Sequence, residues 1–195
     1  MPPMNGFLAR ASRPIVLALL VLVPAANAAP LGLVLETGIT ARVAYNFSSA
    51  QAFAVALEYE MPLAVPLPVD LSLTARIGYN FSAGGLDAGL LTKVLVLNSL
   101  SGGLLGVGLW LDVGANNLGS SLYNFKVAFG PFLNINLEPI YATLSASLVS
   151  LTNGVYAFDL GLAARYYIDP FALEFGFDYN TIGTARAAIG LRFTL

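Results

Sequence analysis

Ionisable side chains are the residues of this chain that could carry chemistry, and they are few. Its 195 residues include nine basic and eleven acidic side chains, no histidine and no cysteine. Without cysteine the chain cannot form disulfides, thiolate metal sites or a c-type haem attachment. Without histidine it lacks the commonest general base and the commonest metal ligand. We therefore predict no metal and no cofactor, and any catalysis would depend on carboxylates.

One pair of carboxylates has a spacing that would suit acid–base work. Glu58 and Glu60 are two residues apart, so in an extended chain they lie on the same face. They also lie just before a proline-rich connection, which favours a position at the rim of the fold. We interpret the pair as a marker of that rim and predict that the protein is not an enzyme.

The overall composition is that of a protein dissolved in lipid. Apolar residues make up 57% of the chain and charged residues 10%. Soluble domains carry about 25% charged residues. A membrane-embedded protein is therefore indicated before any segment is considered.

The first residues have the organisation of a secretory signal peptide. Arg10 and Arg13 precede a nine-residue apolar core at 15–23, and the small residues of 26–28 form a cleavage pattern. Nine apolar residues are far fewer than the roughly 20 that a membrane-spanning helix needs. We therefore predict a cleaved signal peptide at 1–28.

Cleavage leaves residues 29–195 as one domain. Its seven basic and eleven acidic residues make it acidic, so nucleic-acid binding is not expected.

From residue 31 onward the apolar residues alternate with polar or small ones. In the clearest segment the apolar set is Val69, Leu71, Leu73, Ala75, Ile77 and Tyr79, and the opposite set is Asp70, Ser72, Thr74, Arg76 and Gly78. Strict alternation indicates β-strands. We count ten such segments, each long enough to cross a bilayer as a tilted strand. A count of eight remains open if the boundaries near 97–103 and 131–139 are wrong.

Charges are sorted almost completely onto one face of these segments. All seven basic residues after residue 28 lie on the polar face, as do nine of the eleven acids, while Glu138 and Asp169 lie in predicted turns. We predict that this face lines a lumen and that its charges form a structural or pore-lining network. The network comprises Glu36, Arg42, Glu58, Asp70, Arg76, Asp87, Lys93, Asp112, Lys126, Asp159, Arg165, Glu174, Arg186 and Arg192.

Two other folds would also explain parts of the pattern. A soluble barrel would hide the bulky face and expose the charged one, but that face is mostly Gly, Ala, Ser and Thr, too sparsely charged for a solvated surface. A helical membrane protein is disfavoured because turn residues at 98–103 interrupt the longest uncharged stretch. Aromatic residues also recur near both ends of the strands, as in the girdles of outer-membrane barrels. We predict an all-β, closed, antiparallel up-and-down transmembrane β-barrel with short loops.

The connections between strands are of two chemical kinds that alternate along the chain. One kind is rich in Asn, Ser and Gly. The other contains every proline after residue 30, namely Pro62, Pro66, Pro68, Pro131, Pro139 and Pro170. Proline cannot donate to a β-ladder and belongs at strand ends. We predict that the two kinds lie at opposite ends of the barrel, with the proline turns periplasmic and the Asn-rich loops external.

The chain resembles the small outer-membrane β-barrel proteins of diderm, Gram-negative-type bacteria. The resemblance covers the signal peptide and the mature chain as a pattern, and it includes a C-terminal motif. Family members carry glycine followed at +3 and +5 by hydrophobic or aromatic residues, and Gly190, Phe193 and Leu195 match it, although the family usually ends in Phe or Trp. The resemblance implies an outer-membrane location, contact with outer-membrane lipids, and recognition of this motif by the barrel-assembly machinery.

Three functions are consistent with such a barrel. The first is a passive structural role with a lumen filled by side chains. A barrel of eight to ten strands is about wide enough inside for its own side chains to fill it. The second is a narrow, porin-like channel for ions or small solutes. The third, an outer-membrane lipid-modifying enzyme, is disfavoured because known enzymes of this architecture generally use a histidine. The external loops are too short to suggest a receptor, and the sequence carries no signal for an oligomeric state.

Overall fold

A computed structural model describes residues 36–47, 52–100, 104–121, 123–152, 154–181 and 183–195. The predicted signal peptide and the alternation at 31–35 lie outside these residues. Within the described ranges, no helix has the length and hydropathy to cross a membrane.

Ten β-strands account for most of the described chain, because alternating sequences of nine or more residues favour the pleated conformation. The strands are β1 (Gly38–Asn46), β2 (Ala52–Leu63), β3 (Asp70–Asn80), β4 (Gly85–Leu100), β5 (Leu105–Leu118), β6 (Asn124–Leu137), β7 (Ile140–Leu151), β8 (Tyr156–Ile168), β9 (Phe171–Asn180) and β10 (Ala185–Thr194).

The strands form one closed antiparallel barrel in which each pairs with its neighbours in sequence. Closure is made by β1 and β10, whose ladder runs from Gly38 opposite Thr194 to Asn46 opposite Arg186. Closure leaves no strand edge, which is a requirement for crossing hydrocarbon. The predicted fold class is confirmed, with ten strands and not eight.

Successive side chains alternate between the outer wall and the lumen, as the pleat of a strand requires. In β1, Ile39 and Val43 are exposed on the outside, whereas Thr40 and Arg42 are buried inside. The same alternation places bulky apolar residues over the whole outer wall. A continuous apolar surface of this extent is suited to lipid and not to water.

Aromatic side chains cluster near both ends of the outer wall. At one end, Tyr45 contacts Phe47 with ring centroids 5.0 Å apart, and Phe81 lies 5.1 Å from the Tyr79 ring. At the other end, the Phe171 and Phe193 rings are 5.5 Å apart. The two levels correspond to the predicted girdles.

The connections separate by end as predicted. Those of β1–β2, β3–β4, β5–β6, β7–β8 and β9–β10 lie at one end, which we call the loop end. Those of β2–β3, β4–β5, β6–β7 and β8–β9 lie at the other, which we call the turn end. Glu138 and Asp169 are in turns at the turn end, as expected.

Pro62 and Pro131 contradict the assignment of every later proline to a turn. Pro62 lies near the end of β2 and is paired with Ser72 of β3. Pro131 lies within β6, faces outward and is paired with Leu109 of β5. The β6–β7 ladder has no pairs at Gly130 and Pro131, as expected where proline has no N–H to donate, but its register is the same on both sides of this gap.

The lumen is also less uniformly polar than the alternation suggested. A group of large apolar side chains faces inward from β4 to β7, and its buried members are Leu91, Leu95, Trp110, Ala128, Phe132, Val149 and Leu151. The Phe132 ring lies over Gly108 on the adjacent strand, where an added Cβ would be 2.6 Å from its Cε1 atom. The lumen therefore contains an apolar core beside its charged residues.

Candidate functional site: the lumen charge network

Charged residues also face the lumen, from every strand except β7, and on β4, β5 and β6 they share the inward face with the apolar group. Each of the fourteen predicted charged residues is on the inward side of its strand or, for Glu36, just before β1. Burial is deepest for Arg165, Arg186 and Arg192, each 1% exposed. The structure therefore brings together the residues that the alternation selected.

Every basic residue of the described chain is in at least one ion pair. The ten pairs form three groups, which we name after a central member: the Glu60 cluster, the Asp112 cluster and the Arg186 cluster. Buried charges are costly unless they are paired and hydrogen-bonded, so this pairing makes the polar lumen tolerable in a low-dielectric barrel.

The Glu60 cluster is centred on a carboxylate that contacts three cations from three other strands. Arg192 Nη1 donates to Glu60 Oε2 at 3.0 Å, Arg165 Nη2 lies 3.5 Å from the same oxygen, and Lys93 Nζ donates to Oε1. The Ser72 hydroxyl also donates to Oε1 at 3.3 Å. Glu60 thereby links β2 with β4, β8 and β10.

A second carboxylate extends this cluster. Glu174 accepts from Arg165 Nη2 at 2.7 Å and from Arg42 Nη2 at 2.8 Å. Arg42 Nη2 also lies 3.1 Å from Glu58 Oε2. Arg42 and Arg165 therefore each bridge two acids.

Glu36 completes the cluster toward the turn end. Its Oε2 accepts a hydrogen bond from the Tyr167 hydroxyl at 3.1 Å, and its backbone carbonyl accepts from Arg192 Nη2 at 2.7 Å. Arg165 Nη1 donates to the same Tyr167 oxygen at 3.1 Å. A tyrosine thus connects Glu36 to the ion pairs of the mid-lumen.

The Asp112 cluster lies against the apolar core. Asp112 accepts from Arg76 Nη2 at 3.0 Å and from Lys126 Nζ at 2.8 Å. Asp87, on the next strand, accepts the backbone N–H of Asn117 at 2.8 Å. That bond is made where the β4–β5 ladder shifts register.

The Arg186 cluster contains one cation and two acids. Arg186 Nη2 lies 3.1 Å from Asp159 Oδ2, and its Nε donates to Asp178 Oδ2 at 2.8 Å. The two aspartates come from adjacent strands, β8 and β9.

Two members of the network were missed by the sequence analysis. Glu60 is buried at the centre of the largest cluster and does not mark a rim, and Asp178 is a direct partner of Arg186. Glu60 shares the inward face of β2 with Glu58, and Asp178 shares the inward face of β9 with Glu174. Their even spacing from these predicted residues is the sequence feature that identifies them as lumen-facing.

Asp70 and the predicted assembly residues lie toward the turn end. Asp70 opens β3 on the inward face and is half-buried. Gly190 is buried on the inward face of β10, whereas Phe193 and Leu195 are exposed on the outside. Their recognition by assembly machinery stays a prediction.

Comparison with solved structures finds other membrane β-barrels. The NanC porin is 11% identical to this chain with a TM-score of 0.50, and the match covers 80% of this chain and 100% of NanC. The KdgM porin, in complex with disordered oligogalacturonate, is 8% identical with a TM-score of 0.47, over 81% of this chain and 99% of KdgM. The resemblance to small outer-membrane β-barrels is confirmed as a fold. No protein-family model and no curated protein matches the chain.

Little free space remains in the lumen cavity that the described residues line. The lumen cavity has a volume of about 50 Å³ and is lined by members of all three clusters together with Leu91 and Trp110. A water needs roughly 10–15 Å³ of such volume, so the cavity has room for only a few water molecules. Chemically, the site is a network of buried ion pairs around a small cavity.

Proposed function

We propose that this protein is an integral outer-membrane barrel with a passive, structural role and a lumen closed by its own side chains. The observation that carries the proposal is the combination of ten ion pairs with an apolar core inside one ten-stranded barrel. Together these groups leave a cavity of about 50 Å³. Ligand pockets are typically several hundred Å³, at least about 300.

Several features support a location in the outer membrane and one orientation in it. The apolar outer wall and its two aromatic levels suit a bilayer, and the predicted signal peptide would export the chain. In the proposed orientation the turn end, with its short connections, faces the periplasm and the loop end faces outward. Outer-membrane lipids are the proposed contacts of the wall, and the assembly machinery would bind through Gly190, Phe193 and Leu195.

A non-enzymatic role is part of the proposal. The carboxylates that could act as bases, Glu58 and Glu60, are held by Arg42 and by Lys93, Arg165 and Arg192 respectively. This pairing supports a structural function for both residues.

A narrow ion channel is the second candidate. The observation that favours it is the lining of the remaining cavity, which includes six basic residues. Opening of a few ion pairs would extend that space.

Conductance across planar bilayers tests the proposal. We expect folded wild-type protein, with insertion verified by a fluorescent label, to give no steady current. The variant Phe132→Ala/Trp110→Ala, which empties part of the apolar core, serves as the sensitivity control and should conduct, whereas Glu138→Gln in an exposed turn should remain silent. Steady single-channel current from the wild type would contradict the closed lumen and favour the channel.

A further inference from the structure

The charge balance differs among the three clusters. In the Glu60 cluster, four basic residues (Arg42, Lys93, Arg165 and Arg192) are ion-paired with Glu58, Glu60 and Glu174, and a fourth acid, Glu36, is joined through its carboxylate to the Tyr167 hydroxyl. In the Asp112 cluster, Arg76 and Lys126 face Asp112 and the neighbouring Asp87. Both sets are formally neutral. The Arg186 cluster has one cation for two aspartates and keeps a net charge of −1.

The excess negative charge of the Arg186 cluster lies on Asp159 and Asp178. The Asp178 side chain is 4% exposed and that of Asp159 is 15% exposed. Each uses Oδ2 for Arg186, and the Oδ1 of each is buried and accepts no hydrogen bond from any residue that the structure describes. A buried carboxylate oxygen without a partner carries a large desolvation cost.

The two aspartates border free space and a further oxygen-bearing side chain. Both aspartates line the lumen cavity together with Ser147, which is paired with Asp159 across β7 and β8. The surroundings therefore offer carboxylate and hydroxyl oxygens, which are the ligands of hard cations.

Lys126 cannot neutralise Asp159 and Asp178, because it is already paired with another acid. Lys126 interacts electrostatically with Asp178, but its ammonium group donates to Asp112 at 2.8 Å. If Lys126 were counted with the Arg186 cluster, the Asp112 cluster would have one cation for two acids and a net charge of −1.

We propose that the lumen binds one monovalent alkali cation between Asp159 and Asp178, with the Ser147 hydroxyl as a further oxygen ligand. A single positive charge makes the Arg186 cluster neutral like the other two. A divalent ion would instead leave a positive excess beside Arg186 and Lys126, so Na⁺ or K⁺ is favoured over Ca²⁺ or Mg²⁺. This site requires the folded barrel but not a closed lumen.

Urea unfolding of the barrel in lipid vesicles tests the site. At constant ionic strength, with choline replaced stepwise by Na⁺, we expect the wild-type midpoint to rise and then saturate, because a ligand that binds only the folded state stabilises it. Asp159→Asn, which makes the cluster neutral, should abolish the rise. The control Glu138→Gln should keep it. A parallel series with Ca²⁺ distinguishes a divalent site.

The proposal is overturned if the wild-type midpoint does not respond to the exchange of choline for Na⁺, or if Asp159→Asn responds as the wild type does. It is also overturned if only Ca²⁺ stabilises, or if acidification stabilises without any Na⁺ dependence, since a bound proton would then supply the charge. Should Asp159→Asn fail to fold, ²³Na NMR line broadening by wild-type barrel decides: broadening relieved by K⁺ supports the site, and its absence contradicts it.

Discussion

The carboxylate of Glu60 accepts a hydrogen bond from Arg192 at 3.0 Å, although 132 residues separate them and their strands are not adjacent. The β-ladder joins only neighbouring strands, whereas this bond passes over β1 to connect β2 with β10. Arg165 and Lys93 extend the connection from the same carboxylate to β8 and β4. Glu60 therefore ties four strands together across the lumen.

Substitution of Glu60 by Gln should destabilise the barrel strongly. The change leaves Arg192, Arg165 and Lys93 without their shared counter-charge, and breaking a buried ion pair from one side costs about 3–5 kcal/mol. Urea unfolding in vesicles measures the loss. The matched variant Glu138→Gln, in an exposed turn, should change stability by no more than about 0.5 kcal/mol. Equal stability of the two variants would show that the network contributes little.

Substitution of Gly130 by Ala should also destabilise the barrel, for a steric reason. A Cβ at this position would overlap the backbone oxygen of Ala146 and lie 2.7 Å from Ser147 Cα, so the β6 and β7 backbones would have to separate. Overpacking of this kind costs about 1–3 kcal/mol. In Gly190→Ala the nearest atom is a side-chain methyl of Thr40 at 3.0 Å, which can move, so the loss of stability in the same unfolding assay should be smaller.

The loop end depends on buried asparagines that hold the turns. Asn80 Oδ1 accepts the backbone N–H groups of Ser82 and Ala83, each at 3.1 Å. Asn80→Ala leaves those donors without this acceptor, and we expect a loss of about 1–3 kcal/mol in unfolding free energy. Asn136 Oδ1 accepts no hydrogen bond from the described residues, so Asn136→Ala should cost less. The reverse order of the two variants would contradict the turn-capping role.

The strands and the facing of the charges could be predicted because both follow from a period of two. Arg42 and Lys93, for example, fall on the inward face whatever the exact strand bounds. The partners could not be predicted, because they depend on which strands meet across the closed barrel. Glu60 was placed at a rim for that reason, since its nearness to a proline-rich connection in sequence says nothing of Lys93, Arg165 or Arg192 opposite it.

Two apolar residues of the lumen could not be assigned from the sequence pattern alone. Val149 is on β7, where no charge marks the inward face. Phe132 has the inward parity of Lys126 on β6, but it lies in the stretch 131–139, where the strand bounds were open. Pro131 could not be placed either, because its position inside β6 depends on a local gap in the β6–β7 pairing that composition does not reveal.

The central claim is that the uncharged face of each strand touches lipid while the other faces the lumen. The chain has a single tryptophan, Trp110, which is 7% exposed inside, and its neighbour Leu109 is 56% exposed outside. Fluorescence quenching by brominated acyl chains compares the wild type with Leu109→Trp/Trp110→Phe, which moves the indole one residue along the strand to the other face. We predict weak quenching for the wild type and strong quenching for the double variant. Strong quenching of native Trp110 with weak quenching at position 109 would invert the barrel and contradict the account.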